Sequence, residues 1–282
     1  MFASEAQRRA RYLERLRRAV GGRSVVLTGA SSGIGRAFAL QAAEAGVKLA
    51  LVARRREELL RVREEVETLG ASALVFPADL GDREQVAELV AELQLQFGAV
   101  DVLINNAGVS LRRPVERSLE RADDFRRLVE VNYFGPLALT LGLLPPMLER
   151  ERGHIVNVST IGAQAGAPNF SAYVASKAAM DHFARAFGLE LGRRRISITT
   201  VYMPLVFTPM LAPTGIYDRW PALRTEEAAR RIGWALIRRP ARVAPLWTTG
   251  VELLHTLAPG LMRRAFALLH DPAHRWLGRR SR

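Results

Sequence analysis

Residues 24–35 read SVVLTGASSGIG: an apolar, β-branched run closing at Thr28, then a turn with glycines at 29, 33 and 35. The run predicts a buried strand, and the small apolar residues that follow predict a helix from about 33 to 45. In a strand–turn–helix setting a glycine loop lets main chain approach a pyrophosphate, which the helix N-terminus then faces. The candidate contacts are Gly29, Ser31, Ser32, Gly33, Ile34 and Gly35. Their spacing, three intervening residues and then one, differs from the commoner GxGxxG.

Outward from this stretch, apolar strands alternate with helical segments: KLALVA at 48–53, a charged helix at 56–69, ALVFPA, a helix at 82–97, and VDVLIN. A long helix at about 121–149 follows, interrupted by Gly135, Pro136, Pro145 and Pro146. HIVNVS, a helix at 170–192, ISITTVY, a helix at 225–239 and RVAPLW as a last strand complete the pattern. Strands apolar throughout, separated by helices, predict a parallel sheet covered on both faces. The expected fold is a single-domain α/β Rossmann-like doubly wound sheet. Residues 22–248 form its expected body, with a proline-rich lid loop at 203–222. An N-terminal amphipathic helix occupies 1–21, its Tyr12, Leu13, Leu16 and Val20 near one face, and packs on the body or meets a membrane or partner. A helical tail occupies 249–282.

The chain has 282 residues, 49% of them hydrophobic, enough for one large core. It has no cysteine, which excludes disulfides, Cys-ligated zinc and a thiol nucleophile; no metal site is expected. The formal charge is +13, yet only Lys48 and Lys177 are lysines and the remaining basic residues are arginine. That lopsidedness reads as compositional bias, and no nucleic-acid reader motif accompanies it. No apolar run reaches a membrane span, and the charged N-terminal segment lacks a signal-peptide core. The cytoplasm is the expected location.

At the end of the second strand, where an acidic residue would accept hydrogen bonds from an adenosine ribose, stand Ala53, Arg54, Arg55 and Arg56. An arginine matches a 2′-phosphate instead, whose oxygens it can grip in pairs. Arg54 therefore points to NADP(H) over NAD.

Further along, Tyr173 and Lys177 in SAYVASKAAM are four residues apart and share one helix face. An ammonium beside a phenol favours the phenolate and draws the tyrosine toward proton exchange near neutrality. Together with TGASSGIG, NNAG at 105–108, Asn132 and Ser159, all in one order, the pair resembles the short-chain dehydrogenase/reductase family from about Gly22 to Trp247. The resemblance implies Tyr173 as general acid, Lys177 as the group that tunes it and holds the nicotinamide ribose, and Ser159 as a donor to the substrate oxygen. Thr160 competes for the serine's place, but Ser159 opens the family's Ser-x-x-Gly. Asn132 is implied to bind a water leading to Lys177. Asn106, Ala107 and Gly108 would line the cofactor. Asp79, with Leu80 beside it in PADL, would either accept from the adenine or cap a helix.

LINNAG with Arg112 and Arg113, VNYFG at 131–135, FSAYVASKAA at 170–179 and YMPLV at 202–206 resemble the bacterial fatty acyl-CoA reductases of this family. The resemblance places Val206 and Thr208 at the nicotinamide carboxamide. Phe207 and Gly215 depart from the basic residues expected in that loop, so an aldehyde, ketone or alcohol substrate of steroid or retinol type stays open, as does a non-catalytic module. The expected partners are a lipophilic small molecule and further copies of the chain as dimer or tetramer. The leucine-rich tail would contact a membrane surface or seal a dimer.

Overall fold

The computed structural model describes residues 4–210 and 221–267. Its seven parallel strands are β1 Ser24–Thr28, β2 Lys48–Ala53, β3 Ser72–Pro77, β4 Val102–Asn105, β5 Gly153–Thr160, β6 Ile196–Met203 and β7 Arg242–Val243. They lie in the order β3-β2-β1-β4-β5-β6-β7. The order reverses between β1 and β4, and crossovers leaving in opposite directions open a crevice at the carboxyl ends of those strands.

Alternation along each strand sends neighbours to opposite faces. Val25 and Leu27 join one core with α1 (Glu5–Val20), α2 (Gly33–Glu44), α3 (Arg56–Thr68) and α9 (Thr225–Arg238). Val26 joins the other, with α4 (Arg83–Phe97) and α6 (Gly135–Glu149).

The N-terminal helix packs on the body through one face. The Ser4 hydroxyl accepts from Gln7 N at 3.2 Å, and Gln7 Oε1 accepts from Ser4 N at 2.9 Å, a reciprocal cap that satisfies two otherwise orphaned donors. Tyr12, Leu16 and Val20 are buried against α2 and α9, each worth about 1.5–3 kcal/mol in apolar burial. The Tyr12 hydroxyl donates to Gln41 at 2.9 Å. Gly233 of α9 makes its room, because a Cβ there would come within 1.9 Å of that hydroxyl.

The long helix runs from Ala122 to Glu149 without a break, α5 (Ala122–Val129) passing into α6 through a π turn at Glu130–Phe134. Pro136 brings no N–H to the carbonyl four residues back, so the ladder slips and Gly135 N donates to Glu130 O. The expected interruption at Gly135 and Pro136 is thus a change of register, and Pro145 and Pro146 do not end the helix. By length and composition this helix could cross a membrane, a property that charge-free runs in the sequence did not reveal. Leu139, Leu143 and Met147 are nevertheless buried in the sheet's second core.

RVAPLW is not a strand throughout. Only Arg242 and Val243 pair with β6; Pro245 cannot donate to a ladder, and it caps α10, Leu246–Leu257. The boundary expected after residue 248 therefore falls inside a helix.

Candidate active site

The glycine loop closes against the end of β4. A Cβ on Gly29 would meet Ala107 Cα at 2.8 Å, and one on Gly35 would lie 2.1 Å from Gly29 O. Gly29 and Gly33 have φ of 68° and 54°, a region that costs side-chain-bearing residues energy. Thr28 Oγ1 accepts from Asn106 N at 2.9 Å and Ala107 N at 3.0 Å, and Asn106 Nδ2 donates to Thr28 O at 2.9 Å. The Asn106 side chain thus locks the loop to β4, a structural task that its sequence reading as a cofactor contact did not include. Ser32 is the N-cap of α2 without closing the cap through its side chain, and the first turn has no acidic residue. The bare main chain, the Ser31 and Ser32 hydroxyls and the uncompensated helix end fit a pyrophosphate. Ile34 is partly buried against the core.

Beyond β2 and β3, Arg54 Nη1 lies 3.9 Å from Asp79 Oδ2. Asp79 Oδ1 accepts from Gly81 N at 2.9 Å. The helix cap offered as its alternative role belongs to Asp82, which accepts from Glu84 N and Gln85 N. Leu80, expected with Asp79 among the cofactor contacts, has its side chain buried in the second core, so only its main chain is left for such a contact. Its carbonyl abuts Gly135, where a Cβ would come within 2.0 Å.

Asn132, Ser159 and Lys177 line one cavity at the carboxyl ends of β4 and β5. Lys177, on α8 (Ser171–Leu191), is buried and donates from Nζ to Val158 O at 3.0 Å. Burial pulls its ammonium down from 10.5 to about 8. Asn132, in the π turn, accepts from Val109 N and donates to Val109 O and Ser176 Oγ, each at 2.9 Å. Gly108 lies over both, since a Cβ there would be 3.0 Å from Asn132 Oδ1 and 3.1 Å from Lys177 Nζ. Ser159 is 7% exposed, and its Oγ is buried with no hydrogen-bond partner. Thr160 Oγ1 is engaged by Gly162 N at 3.2 Å. The two hydroxyls differ: Thr160 accepts a local main-chain hydrogen bond, whereas the buried Ser159 hydroxyl is unsatisfied among the described residues, a costly state for a polar atom. Tyr173, one helical turn before Lys177, is half-buried and packs edge-on to Phe170 with ring centroids 6.3 Å apart.

Behind these residues lies a cavity lined by Asn105, Asn157, Ser159, Lys177, Asp181 and Thr200, among others. Asn105 and Asn157 are register partners on β4 and β5. Asn105 Nδ2 donates to Asn157 Oδ1 at 2.9 Å, while Asn105 Oδ1 and Asn157 Nδ2 are buried without partners. Sequence reasoning missed this pair, Asp181 and the π turn. The available signal was an asparagine near the end of two otherwise apolar strands.

The lid is described at its two ends only; residues 211–220, Gly215 among them, lie outside the described residues. Val206 pairs with Leu223 in a parallel bridge, closed by Phe207 N to Leu223 O at 3.0 Å. Val206 is buried in the first core. Thr208 sits against the glycine loop, where a Cβ on Gly33 would come within 3.2 Å of its methyl. Arg113 forms an ion pair with Asp124.

The family model described as short chain dehydrogenase matches residues 23–216. A fatty acyl-CoA reductase of Acinetobacter baylyi is 46% identical over 242 residues, covering 86% of this chain and 82% of the relative. A fatty acyl-CoA reductase of Mycobacterium tuberculosis is 44% identical over 239 residues, covering 84% and 81%. Among solved structures, a short-chain dehydrogenase from Sphingobium yanoikuyae in complex with NADPH is similar with a TM-score of 0.76 at 25% identity, covering 86% of this chain and 95% of that one.

Proposed function

This chain belongs to the short chain dehydrogenase family, and from that premise we propose that it is an NADPH-dependent reductase acting on a fatty acyl-CoA or long-chain aldehyde. The observation that carries the reading is the buried, unpartnered Ser159 hydroxyl on the same cavity as the buried Lys177. A donor fixed where negative charge develops is worth more in such a site than in water.

NADPH, when bound, supplies the hydride. The glycine loop and the α2 N-terminus would hold its pyrophosphate, Arg54 would take the 2′-phosphate, and Ala107, Gly108, Val206 and Thr208 would serve the nicotinamide end. Tyr173 donates its phenolic proton to the substrate oxygen. Ser159 donates a hydrogen bond to the same oxygen, Lys177 keeps its positive charge beside the tyrosine, and Asn132 fixes the main chain at Val109 over the site. Two fatty acyl-CoA reductases among the relatives and the exposed Phe207 and Met210 at the start of the lid support a lipophilic substrate.

The test is NADPH consumption measured side by side with long-chain acyl-CoA, fatty aldehyde and a steroid ketone. Turnover of the first two is expected. Inertness toward both, with turnover of the ketone, moves the protein to the alcohol/ketone branch of the family. Inertness toward all three overturns the reading.

A further inference from the structure

Tyr173, Lys177, Asp181 and Arg185 recur every four residues along α8, a spacing that lays them in one stripe on the helix. The first two belong to the proposed chemistry. The second two continue the stripe as an ion pair, Arg185 Nη2 to Asp181 Oδ2 at 2.9 Å. Asp181 is 2% exposed and lines the same cavity as Lys177, where among the described residues these two carry the charge. A buried carboxylate is expensive unless paired, and helix packing alone would be served by an apolar residue at 181.

The pair does not end in solvent. The Tyr202 hydroxyl of β6 donates to Asp181 Oδ1, and Arg185 Nη2 also donates to Tyr202 at 3.2 Å and to Glu252 of α10 at 3.0 Å. Burial, with Asp181 next, pushes the Tyr202 phenol up to about 12, so it stays neutral. Glu252 is further held by Arg242 of β7 at 2.9 Å and by Gln164 at 3.2 Å. Asp181 is thus the charged residue that shares the cavity with Lys177, while Arg185 of the same helix and Tyr202 of β6 touch its carboxylate, and Glu252 of α10 and Arg242 of β7 stand behind Arg185. Asn157 and Ser159 from β5, and Asn132 from the π turn, bring only neutral atoms.

We propose that Asp181 and Arg185 are positioning residues for the proton chemistry, setting in opposite directions the ionisation of Lys177. The inference rests on the proposed role of Lys177. The Asp181 carboxylate favours the Lys177 ammonium across the low-dielectric cavity, and Arg185, by neutralising that carboxylate, limits the effect. Glu252 and Arg242 fix how far Arg185 leans on Asp181, which ties the position of α10 to the charge state of the site.

The two-lysine composition allows a direct test on the protein without cofactor. With ¹³Cε-labelled lysine the full chain gives two titrating signals, Lys177 and the exposed Lys48, the latter an internal reference assigned by Lys48→Arg. Asp181→Asn keeps the shape and removes the anion, so the Lys177 midpoint should fall by about half a pH unit or more; Arg185→Gln should raise it by a similar amount. Lys48 should not move in either. In the same variants the alkaline limb of reductive turnover should shift with the Lys177 midpoint. Midpoints that stay put, or that move in the same direction in both variants, overturn the proposal. Should Asp181→Asn fail to fold, Arg185→Gln, at a half-exposed position, decides alone. Opposed shifts in a protein that turns over no carbonyl compound would instead leave the tuning intact and sink the functional reading.

Discussion

Arg54 and Asp79, from the adjoining ends of β2 and β3, face each other with Nη1 and Oδ2 3.9 Å apart. Both side chains are about half exposed, and a solvent-accessible pair of this length contributes little, about 0–1 kcal/mol. Arg54 is thus only weakly held, and exchanging this carboxylate contact for a phosphate would cost it little.

Cofactor selectivity follows from that arrangement. Arg54→Ala should weaken NADPH binding by roughly ten- to a hundredfold, the loss of a charge-assisted hydrogen bond of about 1.5–3 kcal/mol. NADH binding should change little. Titration of both cofactors by nucleotide fluorescence checks this, and equal affinities in the unmodified protein would refute the assignment.

Tyr173→Phe removes the hydroxyl and keeps the ring that packs on Phe170. Reductive turnover should fall about 100-fold or more, as expected on loss of a general acid, with NADPH affinity and melting temperature retained. Near-normal turnover in the folded variant would remove Tyr173 from its role.

Gly35→Ala places a methyl 2.1 Å from Gly29 O, a contact with main chain that no rotamer change relieves. The loop must shift, so NADPH binding should be lost together with about 1–3 kcal/mol of stability. Calorimetry with and without NADPH separates the two effects; a variant that binds normally would show that the loop can yield.

The pH dependence is set by burial of Lys177. Its ammonium persists below about 8 and is lost above, so reductive turnover should be level at lower pH and decline as the pH rises through about 8. A rate that holds level to pH 10 would show that the charge on Lys177 is not needed.

Without cysteine, reduction of an acyl-CoA has no thiolate on which to form an acyl-enzyme. If the chain reduces an acyl-CoA, hydride is therefore expected to pass directly to the thioester carbon, with Tyr173 giving the oxygen its proton, and loss of CoA thiol from the resulting hemithioacetal would leave aldehyde. Thiol-alkylating reagents, removed before assay, should leave activity unchanged. Rapid quenching should reveal no acylated protein, and a label on the transferred hydrogen of NADPH should appear on the aldehyde carbon. A trapped acyl-enzyme would contradict direct transfer.

Periodicity and composition determined the alternating strands and helices, the parallel sheet and the glycine turn, because local sequence dictates each: apolar runs, helical spacing, and glycines where φ is positive or main chain comes close. The order Gly29, Asn132, Ser159, Tyr173, Lys177 was legible for the same reason, as a fixed motif. What the fold alone decided depends on residues far apart in the chain. Gly162 N engages the Thr160 hydroxyl while, among the described residues, nothing engages that of Ser159. Asp82, not Asp79, caps α4, and Leu80 turns inward, since the chain's direction after β3 is set by packing on Gly135. Gly233 reads as an ordinary helical glycine until Tyr12, more than 200 residues away, needs its space. Asp181 is buried where β6 brings Tyr202 to its carboxylate, and only there does it share a cavity with Lys177. Sequence specifies which groups are present and how neighbours along the chain are spaced; burial and charge pairing between distant segments exist only once those segments pack.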